Sequence, residues 1–180
     1  MQTNTLTVSS LYISKEPGIA NEPVSEIVLR PDYGIVGDTH AGELRVRGTG
    51  EIVPNLRQFT AINARELGAV ADILGLPFID PAWLKANICF SCPAIENFTE
   101  ALVEGAILLD ASEQPVLEIK GVTEPCLGAG EYIAAQMPHL SINAQNFPKA
   151  AYGRRGVHGI TLKNVTIRLG DVFTVLLPLN

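Results

Sequence analysis

Only three of the 180 residues are cysteine, and no second C-x-x-C accompanies the pair formed by Cys89 and Cys92. An odd count excludes a complete disulfide framework and argues for a reducing compartment, so a cytoplasmic location is expected. A four-ligand zinc site is poorly provided for, because only Cys126 and the histidines His40, His139 and His158 could complete it, all at irregular spacing. Charge is also scarce. Charged residues make up 18% of the chain, against 47% apolar ones, a balance that excludes disorder. The formal charge of −6 removes the accumulated Lys and Arg on which phosphate-backbone affinity depends, so no nucleic-acid partner is expected. Long apolar runs are missing despite a mean hydropathy of +0.21. Arg, Asp, Gly or Pro interrupts every apolar stretch before the ~18 residues a membrane span needs. Met1 is followed by Gln-Thr-Asn-Thr rather than a basic patch and an apolar core, so neither a secretory signal nor a membrane partner is expected. No G-x-G-x-x-G or G-x-x-x-x-G-K-S/T occurs, which leaves dinucleotide and P-loop chemistry without support.

The residues present suit one domain over 1–180, with room for a real core but not for two large catalytic units. Alternation predicts strands over Leu6–Ser14, Val24–Leu29, Arg57–Ile62, Ala106–Asp110, Val116–Val122 and Val172–Leu177, with a strand or hairpin over Val157–Arg168. The clearest helix follows Asn63, with Glu66 placed for a capping box and Gly75 placed to end it. Shorter helices are expected at Pro81–Lys85, Asn97–Val103 and Gly130–Met137, and the segment from Gln145 to Tyr152 is ambiguous. Strands do not alternate strictly with helices, so the fold class is mainly β (α+β), a barrel or sandwich with helical insertions.

Three stretches could carry chemistry. Gly37-Asp38-Thr39-His40-Ala41-Gly42 can place Asp38 and His40 at a pocket lip, or can simply form a tight turn. Pro125-Cys126 sets a thiol just beyond a strand, where it is better exposed than inside a barrel; Glu124 beside it disfavours a thiolate. Arg154-Arg155-Gly156 offers two guanidiniums for a phosphate or carboxylate, or two solvated side chains. Arg57 and Asn87 are weaker candidates. Cys89 and Cys92 read as small buried residues near a strand, with redox or cofactor contact left open.

In this order the pieces resemble the MOSC domain, named for the C-terminal domain of molybdenum-cofactor sulfurase. The matching stretches are Gly34 to Gly42, Arg57-Gln58-Phe59, Leu84 to Ile88, Leu102 to Leu108, Pro125-Cys126, Arg154 to Val157, and Gly170-Asp171. The resemblance implies a stand-alone bacterial-type MOSC protein, a β-barrel with a few peripheral helices. It implies that Cys126 ligates molybdenum or carries sulfur, since a thiolate suits both. It implies that Asp38, His40, Arg57, Asn87, Arg154 and Arg155 line the pterin and phosphate side of the molybdenum cofactor (molybdopterin). The implied activity is an oxidoreductase that reduces N-hydroxylated or similar small substrates with a separate electron-donor protein. The alternative is a non-enzymatic persulfide carrier served by a desulfurase, and a third reading is a binding barrel with an inert thiol. The C-x-x-C departs from the family pattern. Pyridoxal phosphate is attached to the family in general, but no local feature places it on any of the five lysines.

Overall fold

The computed structural model describes residues 4–178. Its strands are β1 (Thr5–Ile13), β2 (Glu22–Val24), β3 (Glu26–Arg30), β4 (Gly34–Ile35), β5 (Leu44–Val46), β6 (Ile52–Pro54), β7 (Phe59–Asn63), β8 (Ile88–Ser91), β9 (Ile107–Leu109), β10 (Pro115–Val122), β11 (Val157–Thr161), β12 (Val165–Arg168) and β13 (Val172–Leu176). The helices are α1 (Ala64–Leu74), α2 (Phe98–Ala101), α3 (Leu127–Gln136) and α4 (Phe147–Ala150). Strands β13, β9, β10, β11, β7, β8 and β1 follow one another in a sheet that closes on itself through β13 and β1. The architecture is the expected one, mostly β with a closed seven-strand barrel and short helices. Among the described residues, no helix is long and apolar enough to cross a membrane.

Closure needs bent strands, and β-bulges supply the bends. In β1 the buried residues are Leu6 and Val8 before the register shift and Leu11 and Ile13 after it, so the strand changes which parity faces inward. Strand β10 shifts register twice, the second time between Ile119 and Gly121. The barrel is filled by aliphatics and by Phe59, Phe90, Phe98 and Phe173, with Phe90 and Phe173 edge to face at 6.1 Å. A second core lies under the helices, where Leu67 and Val70 of α1 meet Ile62, Cys89, Ile133 and Phe147.

Several local expectations are corrected. The single strand expected over Val24–Leu29 is two: β2 pairs with β1, and β3 pairs with β12 and β4 in a separate sheet. The segment Val157–Arg168 is not a hairpin, since β11 belongs to the barrel and β12 to the small sheet. Arg57 precedes its strand instead of starting it. The third helix starts at Leu127, not Gly130, and takes Cys126 as its N-cap. The stretch Gln145–Tyr152 resolves into a short 3₁₀ turn and α4. Asn63 does cap α1, accepting from the N–H groups of Arg65 and Glu66, and Gly75 ends it at φ 68°. The capping box is incomplete, because the Glu66 carboxylate turns away to Thr99.

Candidate functional site

The glycine-rich loop is tied down by Asp38. Its Oδ2 accepts from the Ser14 N–H at 2.8 Å and from Asn87 Nδ2 at 3.2 Å, and its Oδ1 accepts from the His40 N–H at 2.9 Å. Asn87 Oδ1 accepts in turn from the Thr60 N–H at 3.0 Å. Asp38 and Asn87 therefore line the pocket while holding four chain segments together. Beside them is a cavity of about 230 Å³, also lined by His40, Arg57, Thr60 and Lys85. His40 is exposed at its mouth, with Nδ1 2.7 Å from Glu43 Oε1.

Lys85 is a functional candidate that the sequence reading passed over. It takes a left-handed conformation at φ 58°, closing the 3₁₀ turn Pro81–Leu84. Its Nζ is buried without a hydrogen-bond partner. Burial pulls the ammonium below its ordinary range, and the Asp38 carboxylate opposes this. The lysine lay inside the matched stretch Leu84 to Ile88, but its backbone geometry and buried nitrogen have no sequence signature.

Cys126 is exposed and free, just beyond β10. The Thr123 N–H donates to the Gly156 carbonyl at 2.8 Å, which holds the thiol's segment against the segment that carries Arg155. Arg155 is 9% exposed. Its Nη2 donates to the Leu84 carbonyl beside Lys85, while Nε and Nη1 have no partner. Burial pulls the guanidinium down to about 10; a negative charge on Cys126 opposes the shift, and Arg57 reinforces it. Backbone pairing thus sets the segment of Cys126 beside that of Arg155, and the Arg155 bond to Leu84 ties the latter to the residue next to Lys85 of the cavity lining.

Arg154 does not join it. It is exposed and lines a different groove with Ile73, Leu74 and Lys149, between α1 and α4. Arg154 is exposed and Arg155 is buried at the bend that follows a turn, so the Arg-Arg pair is split. Gly156 makes this geometry possible, for it sits at φ 86° with the Ala61 carbonyl oxygen where a Cβ would be. Its N–H donates to Thr99 Oγ1 at 2.9 Å, and Thr99 is held by the buried Glu66 carboxylate. Desolvation raises Glu66 above its ordinary value despite those bonds.

His158 is a second residue whose position the sequence reading missed. Val157 and Gly159 point into the barrel, and His158 points to the other face, opposite Thr60 of β7 and Gly121 of β10. A Cβ at Gly121 would stand 3.3 Å from the imidazole Cε1, so the glycine makes room for the ring. Burial, with the charges of Arg57 and Arg45, drives the imidazole down to about 4. Alternation along β11 was the available signal.

Cys89 and Cys92 are 2% and 3% exposed. They pack in different cores, Cys89 under the helices and Cys92 in the barrel. Burial raises both thiols, Cys92 to about 11 with Glu66 adding to the effect. Both are packing residues. Among the described residues, no group of three His, Cys, Asp or Glu side chains could hold a metal ion.

The profile of the MOSC domain matches residues 38–174. YuaD of Bacillus subtilis, named for metal-sulfur cluster biosynthesis, is 28% identical over 179 residues, covering 95% of this chain and 90% of its own. The crystal structure of YuaD superposes with a TM-score of 0.83 at 27% identity, covering 95% of each chain. YiiM of Geobacillus stearothermophilus shares the fold at a TM-score of 0.60 and 14% identity, covering 95% of this chain and 75% of its own. YiiM of Escherichia coli does so at 0.56 and 13%, covering 96% and 70%. The match runs through the glycine-rich loop, the exposed thiol and the buried arginine alike, and the chain belongs to the MOSC domain family.

Proposed function

We propose that the protein works on metal and sulfur through Cys126, as a molybdenum-cofactor-binding oxidoreductase in which this thiol ligates the metal. One observation carries the reading: the segment of an exposed thiol is hydrogen-bonded to the segment that carries a nine-tenths-buried guanidinium with two unpartnered nitrogens. The donor set fits this cofactor. The chain offers one soft thiolate and no cluster of hard ligands among the described residues, which suits a metal that arrives with ligands of its own. Lys85 Nζ and Arg155 Nε and Nη1 are buried donors in need of acceptors, as the anionic side of a pterin phosphate requires. When bound, the cofactor supplies two-electron chemistry for an N-hydroxylated or similar small substrate. Arg57 brings positive charge to the mouth, and Asp38 and Asn87 keep the loop in place. In this reading electrons come from a separate electron-donor protein.

Elemental analysis of protein made in a cofactor-competent host tests this. Molybdenum is expected near one equivalent in the wild type and near zero in Cys126→Ser. A wild-type protein without molybdenum overturns the reading.

A second reading is favoured by the thiol's exposure and by the name of YuaD: a carrier that takes persulfide sulfur from a desulfurase and hands it to a metal-sulfur cofactor. Mass spectrometry after incubation with a desulfurase and cysteine separates the two. Added sulfur on Cys126 without tightly bound metal favours the carrier.

A further inference from the structure

Cys126 stands at the N-cap of the ten-residue helix α3, and it makes no side-chain cap bond to the helix. The first-turn N–H groups thus lack a covering oxygen, and no acidic residue lies in that turn. The pairing of Val122 with Val157 and the bond from the Thr123 N–H to the Gly156 carbonyl set the thiol's segment beside that of Arg155, which is nine-tenths buried with Nε and Nη1 unpartnered. The exposed Arg57 adds a second guanidinium. The nearest acid in sequence, Glu124, is exposed. An exposed thiol therefore sits at one feature that attracts an anion and on a segment bonded to the one that carries another, in a chain whose overall charge is −6.

We propose that Cys126 takes its sulfur from thiosulfate, with the Arg155 guanidinium and the α3 N-terminus holding the sulfonate end and receiving the sulfite that leaves. This rests on the sulfur-carrying reading of Cys126 and names its donor. The thiol first gives its proton to solvent. The thiolate then attacks the outer sulfur of thiosulfate, so that a new S–S bond forms on Cys126. The S–S bond of thiosulfate breaks, and its electron pair leaves with sulfite. Charge balances at −3 on each side, and no external oxidant or reductant enters. The two guanidiniums matter because charge accumulates on the departing sulfite, and donors placed before reaction lower the barrier where charge develops. A neutral donor would gain nothing from them.

The test uses the full chain, reduced and freed of small molecules, mixed with thiosulfate. The expected result is a mass gain of one sulfur on Cys126, release of one sulfite per sulfur gained, and thiocyanate on adding cyanide. Cys126→Ser loses all three. Arg155→Gln slows sulfite release on the order of tenfold or more, the scale of a lost charge-stabilising donor. It changes alkylation of Cys126 by neutral iodoacetamide much less. Arg155 is buried, so Arg57→Gln at an exposed position provides the second variant, with a smaller slowing expected in the same direction. Wild-type protein that is alkylated at Cys126 but releases no sulfite overturns the proposal, as does an equal effect of both substitutions on thiosulfate and iodoacetamide. A parallel sample is charged with a desulfurase and cysteine. Sulfur gained there but not from thiosulfate removes the donor and keeps the carrier; sulfur gained in neither removes both.

Discussion

His158 shows at the residue scale how position sets chemistry. Its ring lies over Gly121, its Nδ1 is buried without a partner, and Arg57 and Arg45 add positive charge nearby. Burial and those charges hold it down to about 4, below the 6.5 of an unperturbed imidazole. Between these values the unfolded chain binds a proton that the folded chain refuses. The stability His158 contributes is therefore complete above about 6.5 and is lost as pH falls towards about 4. Urea unfolding of wild type and His158→Gln across this window is the check. The wild type is expected to lose more stability on acidification than the variant, and parallel pH profiles would exclude the effect. The same scale explains the three thiols. Cys89 and Cys92 have side chains inside cores, whereas Cys126 is exposed at the start of α3.

At the scale of elements, α3 has the least predictable boundaries. Gly128 lies before the helix that the sequence predicts from Gly130, because glycine weakens a helix interior by roughly 0.5–1 kcal/mol relative to alanine. The structure gives Gly130 a reason: a Cβ there would overlap the Ala144 carbonyl oxygen and crowd Phe147 Cβ. Helix α3 can therefore lie close against the turn before α4, and this fixes where the Cys126 N-cap sits. Gly130→Ala gains about 1 kcal/mol of helix propensity and incurs about 1–3 kcal/mol of overpacking. A net loss of up to about 2 kcal/mol in chemical denaturation is expected, and a stabilised variant would show that the contact yields. The same logic divides β2 from β3. Residues 24–29 alternate well enough for one strand, yet β2 joins the barrel at β1 and β3 joins β12, a change of partner that propensity does not register.

The whole molecule depends on the barrel closing. Strand β13 pairs with both β1 and β9, and its Phe173, 3% exposed, meets Phe90 inside. Phe173→Ala removes a ring from the closing strand and is expected to cost about 3–5 kcal/mol. Thermal unfolding followed by circular dichroism reads this as a lowered midpoint, and an unchanged midpoint would mean that closure rests elsewhere. Pairing within the sheet, away from the closing seam, also brings the strands of the site together. Arg57 precedes β7, Lys85 and Asn87 precede β8, Cys126 follows β10 and Arg155 precedes β11. These strands lie side by side in the order β10, β11, β7, β8, although the residues span about half the chain.

By itself the sequence determined the mainly β class, most of the strands, the capped and terminated helix α1, and the set of motifs that resembles the family. Each of these is written locally, in alternation, in caps and turns, and in short runs of residues. The exposure of Cys126 was also legible, because Pro125 and the end of a strand place it in a loop. Only the tertiary structure decided that Arg155 turns inward to the Leu84 carbonyl while Arg154 turns out to another groove. It alone showed that Lys85 and His158 belong to the same region, and that Cys89 and Cys92 are buried apart. Those outcomes depend on which strands become neighbours when the barrel closes, and a closed sheet sets neighbours by pairing across long sequence distances, which no local pattern encodes.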